Sequence, residues 1–423
     1  MASSSERSFV RRFPFFYGWI IAAAGTIGVI MTQPGQSPVL SIFTDAFIED
    51  LGLSRSLAST LFTVGTVVAG LSLAFWGDLI DRYGPRKMVG VITALFGAAC
   101  LYMALVQNAL MLGIGYVLLR MLGASALMLV SVNVINQWWV DRRGTVMGLS
   151  GVVLSLIGMG VFTNFVHGLL QRFGWRNTYA LLGLMELLVM LPLGLLLFRD
   201  RPEDHGLKPD GQLATPKPLD GEPVDETHWT RGEALRTSAF WVAVASFATT
   251  SLIGTGLYFH MVSLFSSRGL ASDVAAAVYL PIAVTSAVVQ LGSGYLADRI
   301  PIRFLLSTGL LAMAGVLSLA QTMDGVVLAG VYGVVMGLSS GIMSTAGSII
   351  WANYFGRRHL GSISGLTSSI SRISSALGAL PLALAFDLTG SYNIALRIQM
   401  VVPLLLAVLN LFVKPPRHDP DRS

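Results

Sequence analysis

The sequence predicts an all-α integral membrane protein in which twelve transmembrane helices form two six-helix repeats. Three observations predict it. Of the 423 residues, 53% are hydrophobic and only 12% charged, with a mean hydropathy of +0.68, whereas soluble domains are about 25% charged. The chain breaks into apolar runs of about eighteen residues or more, each sufficient to cross a hydrocarbon core roughly 30 Å thick. Finally, short motifs recur in the second half at one fixed offset. Lipid offers the backbone no hydrogen-bond partner, so a spanning segment is a helix or part of a closed barrel. Continuous rather than alternating apolar runs select helices.

Taken in order, the first span lies near 17–44, behind an arm carrying Arg7, Arg11 and Arg12. It is too long for the apolar core of a cleaved signal peptide and reads as an uncleaved first helix. Spans two to six lie near 56–79, 88–106, 110–137, 144–170 and 177–198. Spans seven to twelve lie near 238–266, 273–297, 304–322, 325–352, 361–387 and 392–413. Between the two blocks, residues 199–236 are rich in Pro, Asp and Glu without apolar periodicity, the composition of a linker. The expected organisation is therefore a six-helix bundle over 1–198, a linker over 199–236 and a second bundle over 237–423.

Lysine and arginine orient the stack. With the N-terminus inside, 21 of the 28 fall in inside segments and 4 outside (Arg55, Arg172, Arg176 and Arg268). Under the positive-inside rule this places both termini in the cytoplasm of a multi-pass cell-membrane protein. The net charge of +5 then reports topology rather than nucleic-acid binding. A single cysteine, Cys100, excludes a disulfide framework and a cysteine-cluster metal site. Gly333, Gly337 and Gly341 in span ten form a small-xxx-small ridge that permits close helix contact.

The repeat is specific. Gly77-Asp78-Leu79-Ile80-Asp81-Arg82-Tyr83-Gly84-Pro85-Arg86-Lys87 closes span two, and Gly294, Leu296, Asp298, Arg299 and Arg303 repeat its positions 217 residues later. Gly144 with Gly361 and Gly148 with Gly365 obey the same offset. The first copy resembles the loop signature of the major facilitator superfamily, with Pro301 standing where the second copy should have its glycine. Tyr17-Gly18-Trp19, Trp138-Trp139 with Arg142-Arg143, Tyr354-Phe355, and the run from Arg201-Pro202-Glu203 to Asp210-Gly211 resemble the branch of monocarboxylate porters and oxalate/formate exchangers. The resemblance implies a secondary transporter with its helices around a central cavity and a substrate site near the midplane between halves. It also implies that Gly77, Asp81, Arg82, Gly84, Arg86, Lys87, Asp298 and Arg299 form a conformational latch at the cytoplasmic face. Anchoring of loops at headgroup level is the plainer alternative.

Charges inside a membrane are functional candidates by default. Arg120 lies about ten residues into span four and Arg372 about eleven into span eleven, each roughly 15 Å deep. A guanidinium fork binds carboxylates in a bidentate way, so the pair can clamp an anion. Arg372 matches in place a cation of the oxalate/formate-type exchangers, and it shares a helical face with Ser364, Ser368 and Ser375. Arg120 with Gly123 resembles a span-four motif common across the superfamily, which implies a role in coupling as an alternative to substrate contact. Monocarboxylate porters carry an arginine eight residues before the loop aspartate, and here that position is Gln290. The charge is lost, which favours a less acidic or neutral substrate. In span one Gln33, Gln36, Ser37 and Ser41 share a face interrupted by Pro34 and Pro38. They are expected to meet substrate, a simple kink being the alternative. His260, expected among the substrate-binding residues, and His167 lie toward outer span ends, where an interfacial histidine tip is the plainer alternative. Glu186 and Arg397 are expected to serve packing and snorkelling.

These residues point to transport of a small monocarboxylate-like organic anion by proton symport or exchange, acting as a monomer without a cofactor. Uptake or efflux of a neutral or amphipathic solute is the alternative. A membrane enzyme is disfavoured, because no HExxH motif or His/Cys/Asp cluster is present. The linker is too short for a signalling domain, which disfavours a sensor.

Overall fold

The computed structural model describes residues 10, 13–211 and 229–416. Arg7, Arg11 and Arg12 of the arm, linker residues 212–228, and Arg417 and Arg422 of the tail lie outside the described residues. Among the described residues the secondary structure is helical and no strand occurs.

Ten helices there are long and apolar enough to cross a membrane, and two local features reconcile that number with twelve spans. Span one is built from Gly18–Met31 and Ser37–Leu51, of 14 and 15 residues, joined by the 3-10 turn Gln33–Gly35. Pro34 and Pro38 sit at the starts of the second and third pieces, where their missing N–H costs no intrahelical bond. Neither long piece alone reaches a full span. Spans five and six form one stretch, Arg143–Leu197, which turns at Gly174 with φ 73° and ψ 169°. The remaining helices coincide with the expected spans within a few residues, Arg55–Tyr83 and Pro85–Ala104 among them. Local chemistry sets their ends. Ser54 accepts from Leu57 N, Asn108 from Met111 N and Thr237 from Phe240 N, each satisfying an orphan donor of the first turn.

The chain divides into two compact units. Unit 1 collects Met1–Val146, Val153–Trp229 and Phe355–Ser369; unit 2 collects Met147–Val152, Thr230–Tyr354 and Ile370–Ser423. In unit 1, Phe43, Phe47, Tyr116, Trp175 and Tyr179 form one aromatic cluster, in which Phe47 stacks on Tyr179 and meets Tyr116 and Trp175 edge to face. Spans three and six approach so closely that a Cβ on Gly183 would lie 2.9 Å from the Gly97 carbonyl. In unit 2, the span-ten glycines pack on span eight: Cβ atoms at Gly337 and Gly341 would stand 2.6 and 2.8 Å from the carbonyls of Ile282 and Ser286. Around them lies an apolar core that includes Leu257, Phe265, Leu317, Tyr332 and Leu396. Among the described residues three π-helical stretches, Arg120–Leu127, Leu154–Phe162 and Glu186–Met190, all fall in unit 1.

Candidate functional site

Span four leaves the α-helical register at Arg120, where Ala109–Leu119 ends and the π-helix Arg120–Leu127 begins. π-turns concentrate at functional sites because they re-aim side chains. This one faces the break in span one. A Cβ on Gly35 would lie 2.3 Å from the Leu119 carbonyl, so only glycine admits the approach. Arg120, 5% exposed, donates from Nη1 to the Gly35 carbonyl at 3.2 Å and to Ser37 Oγ at 3.1 Å. Its guanidinium also lies over the Phe62 ring, 5.1 Å from the centroid. The structure thus brings Arg120 and Ser37 together at the helix break. Gln36 donates to Thr32 Oγ1, and buried Gln33 lies beside Gly158 of span five with its Oε1 unbonded among the described residues.

The second-half candidates divide. Arg372 is half-buried on Leu360–Ala376, four residues after half-buried Ser368. In unit 2, Ser375 shares a 2.7 Å hydrogen bond with Thr255 of span seven. His260 interrupts span seven between Ser238–Phe259 and Met261–Ser266, with Nε2 3.1 Å from the Ala379 carbonyl. Gln290, 8% exposed, turns its amide onto span five: a Cβ on Gly151 would stand 2.0 Å from its Oε1. Its Nε2 donates to Ser286 Oγ.

The signature after span two sits in a dense polar cluster of unit 1. Asp81 accepts from Gly361 N at 2.7 Å and Ser362 N at 2.6 Å, two first-turn donors at the positive end of Leu360–Ala376. Gly77 permits this contact, because a Cβ there would collide with the Gly361 carbonyl. Gly84 (φ 84°) reverses the chain into Pro85–Ala104. Arg86 N donates to Asp200 Oδ1 at 2.8 Å, and Arg86 Nε to the Leu195 carbonyl. Arg82 lies over the Tyr83 ring, and Lys87 is exposed. A cavity of about 280 Å³ opens here, lined among others by Asp81, Arg82, Asp200, Arg201, Asp204 and Arg358. Burial lifts the Asp200 carboxyl above the usual carboxylate range, against the pull of the Arg86 N–H. In the second copy, Arg299 folds back on its own helix, over the Tyr295 ring and onto the Tyr295 carbonyl. Asp298 caps the end of Tyr279–Ala297.

Sequence reasoning missed several partners in this cluster. Asn133 of span four donates to Ser364 Oγ. Gln137 Nε2 donates to the Arg357 carbonyl at 2.7 Å, while Arg357 donates to the Gln137 carbonyl and to Glu203 Oε1 at 2.7 Å. The only signal for Glu203 and Asp210 was their place in a motif-like run, which carried no role with it.

A family model described as Major Facilitator Superfamily matches residues 25–379. The oxalate:formate antiporter of Oxalobacter formigenes is 27% identical over 239 residues, 55% of this chain and 52% of that protein. Monocarboxylate transporter 11 of Mus musculus is 27% identical over 321 residues, 72% of this chain and 65% of that one. The chain thus spans about half the length of the first relative and somewhat under two thirds of the second. Among solved structures, the human organic anion transporter MFSD10 superposes with a TM-score of 0.68 at 15% identity, over 93% of this chain and 99% of that one. At that identity the likeness establishes the fold.

Proposed function

The chain belongs to the major facilitator superfamily and is a multi-pass membrane transporter, and we propose that it moves a small, monocarboxylate-like organic anion by alternating access, with proton symport or exchange as coupling. In this reading residues 1–198 and 237–423 are the two bundles, and 199–236 is a cytoplasmic linker. Both termini face the cytoplasm, and one chain suffices.

The observation that carries the reading is Arg120. A guanidinium 5% exposed lies within span four on the break in span one, beside the Ser37 hydroxyl. Keeping a cation there is expensive unless it serves a pathway, and a broken helix lining a cavity is the usual seat of a transported solute. Arg372 supplies the second cation from the other half, with Ser368 one turn before it. The relatives' names, an oxalate:formate antiporter and a monocarboxylate transporter, support carboxylate as the charge bound. Asp81, Arg82, Arg86 and Lys87, with Asp298 and Arg299, serve as the latch. The hold of Asp81 on the first turn of Leu360–Ala376 must break for the cytoplasmic side to open.

Thermal stabilisation of purified protein tests the substrate class. Formate, acetate and oxalate are compared with neutral solutes and lipophilic cations. A ligand at a hundred times its dissociation constant adds about 2.7 kcal/mol. A carboxylate should stabilise the wild type, and Arg372→Ala and Arg120→Ala should abolish the effect. Stabilisation by neutral solutes alone, unaltered in Arg372→Ala, supports the second reading, a neutral substrate. Gln290 favours that reading, because it is uncharged where carboxylate porters have arginine.

A further inference from the structure

We infer that residues 199–211 form a strap rooted on the first half of the chain, and that Glu203 is its hook, a positioning residue that holds the cytoplasmic side closed by engaging Arg357. The inference rests on the alternating-access reading above and deepens it.

The roots are four. Trp138 Nε1 donates to the Arg199 carbonyl at 2.9 Å. Asp200 accepts from Arg86 N at the start of Pro85–Ala104. His205, 2% exposed, brings its ring within 6.3 Å of that of Trp138. Asp210 then accepts from three successive backbone donors, Val140 N and Asp141 N at 2.9 Å and Arg142 N at 3.1 Å, immediately before Arg143–Val153. Asp210 is the non-glycine residue with positive φ (59°) among those described. An aspartate tolerates that conformation, and here it aims the carboxylate at the three N–H groups. Every root joins residues that precede 212, so all four travel with the first half when the halves rock.

The hook differs. Glu203 stands between the roots and accepts from Arg357 Nη2 at 2.7 Å, and Gln137 and Arg357 exchange side chain-to-carbonyl bonds. Arg357 belongs to the second half, in the loop before span eleven. Its side chain is 11% exposed, whereas that of Glu203 is 45% exposed. Opening of the cytoplasmic side parts these groups and leaves Arg357 without this carboxylate. Removing the negative charge therefore biases the equilibrium toward the open form without loosening the roots.

The test is thiol labelling of a Ser364→Cys reporter by a membrane-impermeant maleimide in inside-out vesicles. Ser364 is 7% exposed against Asn133, and native Cys100 is 0% exposed, so the parent should react slowly. Glu203→Gln, isosteric but uncharged, should speed labelling by roughly two- to fivefold, the range expected for a half-exposed ion pair. Glu203→Asp, which keeps the charge, should fall between Gln and parent. An unchanged rate in Glu203→Gln overturns the hook, as does labelling of Cys100 in the same variant without the reporter, which would signal general loosening. Asp81→Asn separates the two levels of argument. If it speeds labelling and Glu203→Gln does not, the hook alone fails. If neither does, both the hook and the alternating-access reading of this face fail.

Discussion

The crossing of span two with the start of span eleven, inside unit 1, and the crossing of span five with span eight, inside unit 2, are copies of one another. A Cβ on Gly365 would lie 2.5 Å from the Leu73 carbonyl, and a Cβ on Gly148 would lie 2.6 Å from the Gln290 carbonyl. Residues 365 and 148, like 73 and 290, differ by the repeat offset. What surrounds the contacts differs. At the first crossing Asp81 seizes two backbone donors of the facing helix, and Glu203 and Asn133 add side-chain bonds nearby. At the second, the Gln290 amide occupies the space left by Gly151. The turns differ too, with Gly84 at φ 84° in one copy and Pro301 at φ −56° in the other. Helix crossings are thus inherited from the repeat, whereas the charge chemistry is added at one of them. The linker that supplies part of it occurs once in the chain and has no second-half counterpart.

The symmetry of the crossings breaks most strongly at the glycines. Gly365→Ala and Gly148→Ala should each destabilise by about 1–3 kcal/mol, the usual penalty for overpacking, read as a fall in melting temperature. Comparable losses would confirm one shared design, and a loss at only one would show that the crossings carry unequal loads. The charge asymmetry is sharpened by Asp81→Asn against Asp298→Asn. Hydrogen bonds to a charged group contribute about 1.5–3 kcal/mol, so Asp81→Asn should speed labelling of the Ser364→Cys reporter well beyond Asp298→Asn. Equal effects would remove the asymmetry.

The smallest expected effect is at Asp200. Its carboxyl titrates above the usual aspartate value, near 3.9, because burial disfavours the ion. Its contribution to stability is fully present below that ordinary value, is lost as pH rises through the raised one, and changes no further above it. Asp200→Asn keeps an acceptor for Arg86 N and should flatten that acid-side slope while leaving stability at neutral pH unchanged or slightly higher. Acid titration of the melting temperature checks it.

Most of the fold was legible because its cause is local and repeated. Apolar runs located the spans, Pro34 and Pro38 marked the break in span one, and the spacing of Gly333, Gly337 and Gly341 announced a close helix contact. The candidate site was legible only as an inventory. Arg120 and Ser37 were both singled out, but nothing in their spacing told that they would bond. The partners of Asp81 were illegible for a sharper reason. They are backbone N–H groups 280 and 281 residues away, and a backbone donor carries no side-chain identity to recognise. Gln290 was weighed as a lost charge, whereas its packing depends on Gly151, whose missing side chain is silent in a sequence. Glu203 was quoted within a motif, but its pairing with Arg357 spans 154 positions.

The π-turn at Arg120–Leu127 has a consequence for how span four is decoded. A π-turn accommodates about one residue more than an α-turn, which rotates everything beyond it by roughly 100° relative to a straight helix. A helical wheel drawn from Ala109 onward therefore assigns Asn133 and Gln137 to the wrong azimuth, although Arg120 itself is placed correctly. The same phase slip makes the segment a site where a one-residue deletion leaves the helix beyond it in register. It would restore an uninterrupted α-helix and keep Asn133 and Gln137 facing Ser364 and Arg357, while removing the π-turn that opens at Arg120.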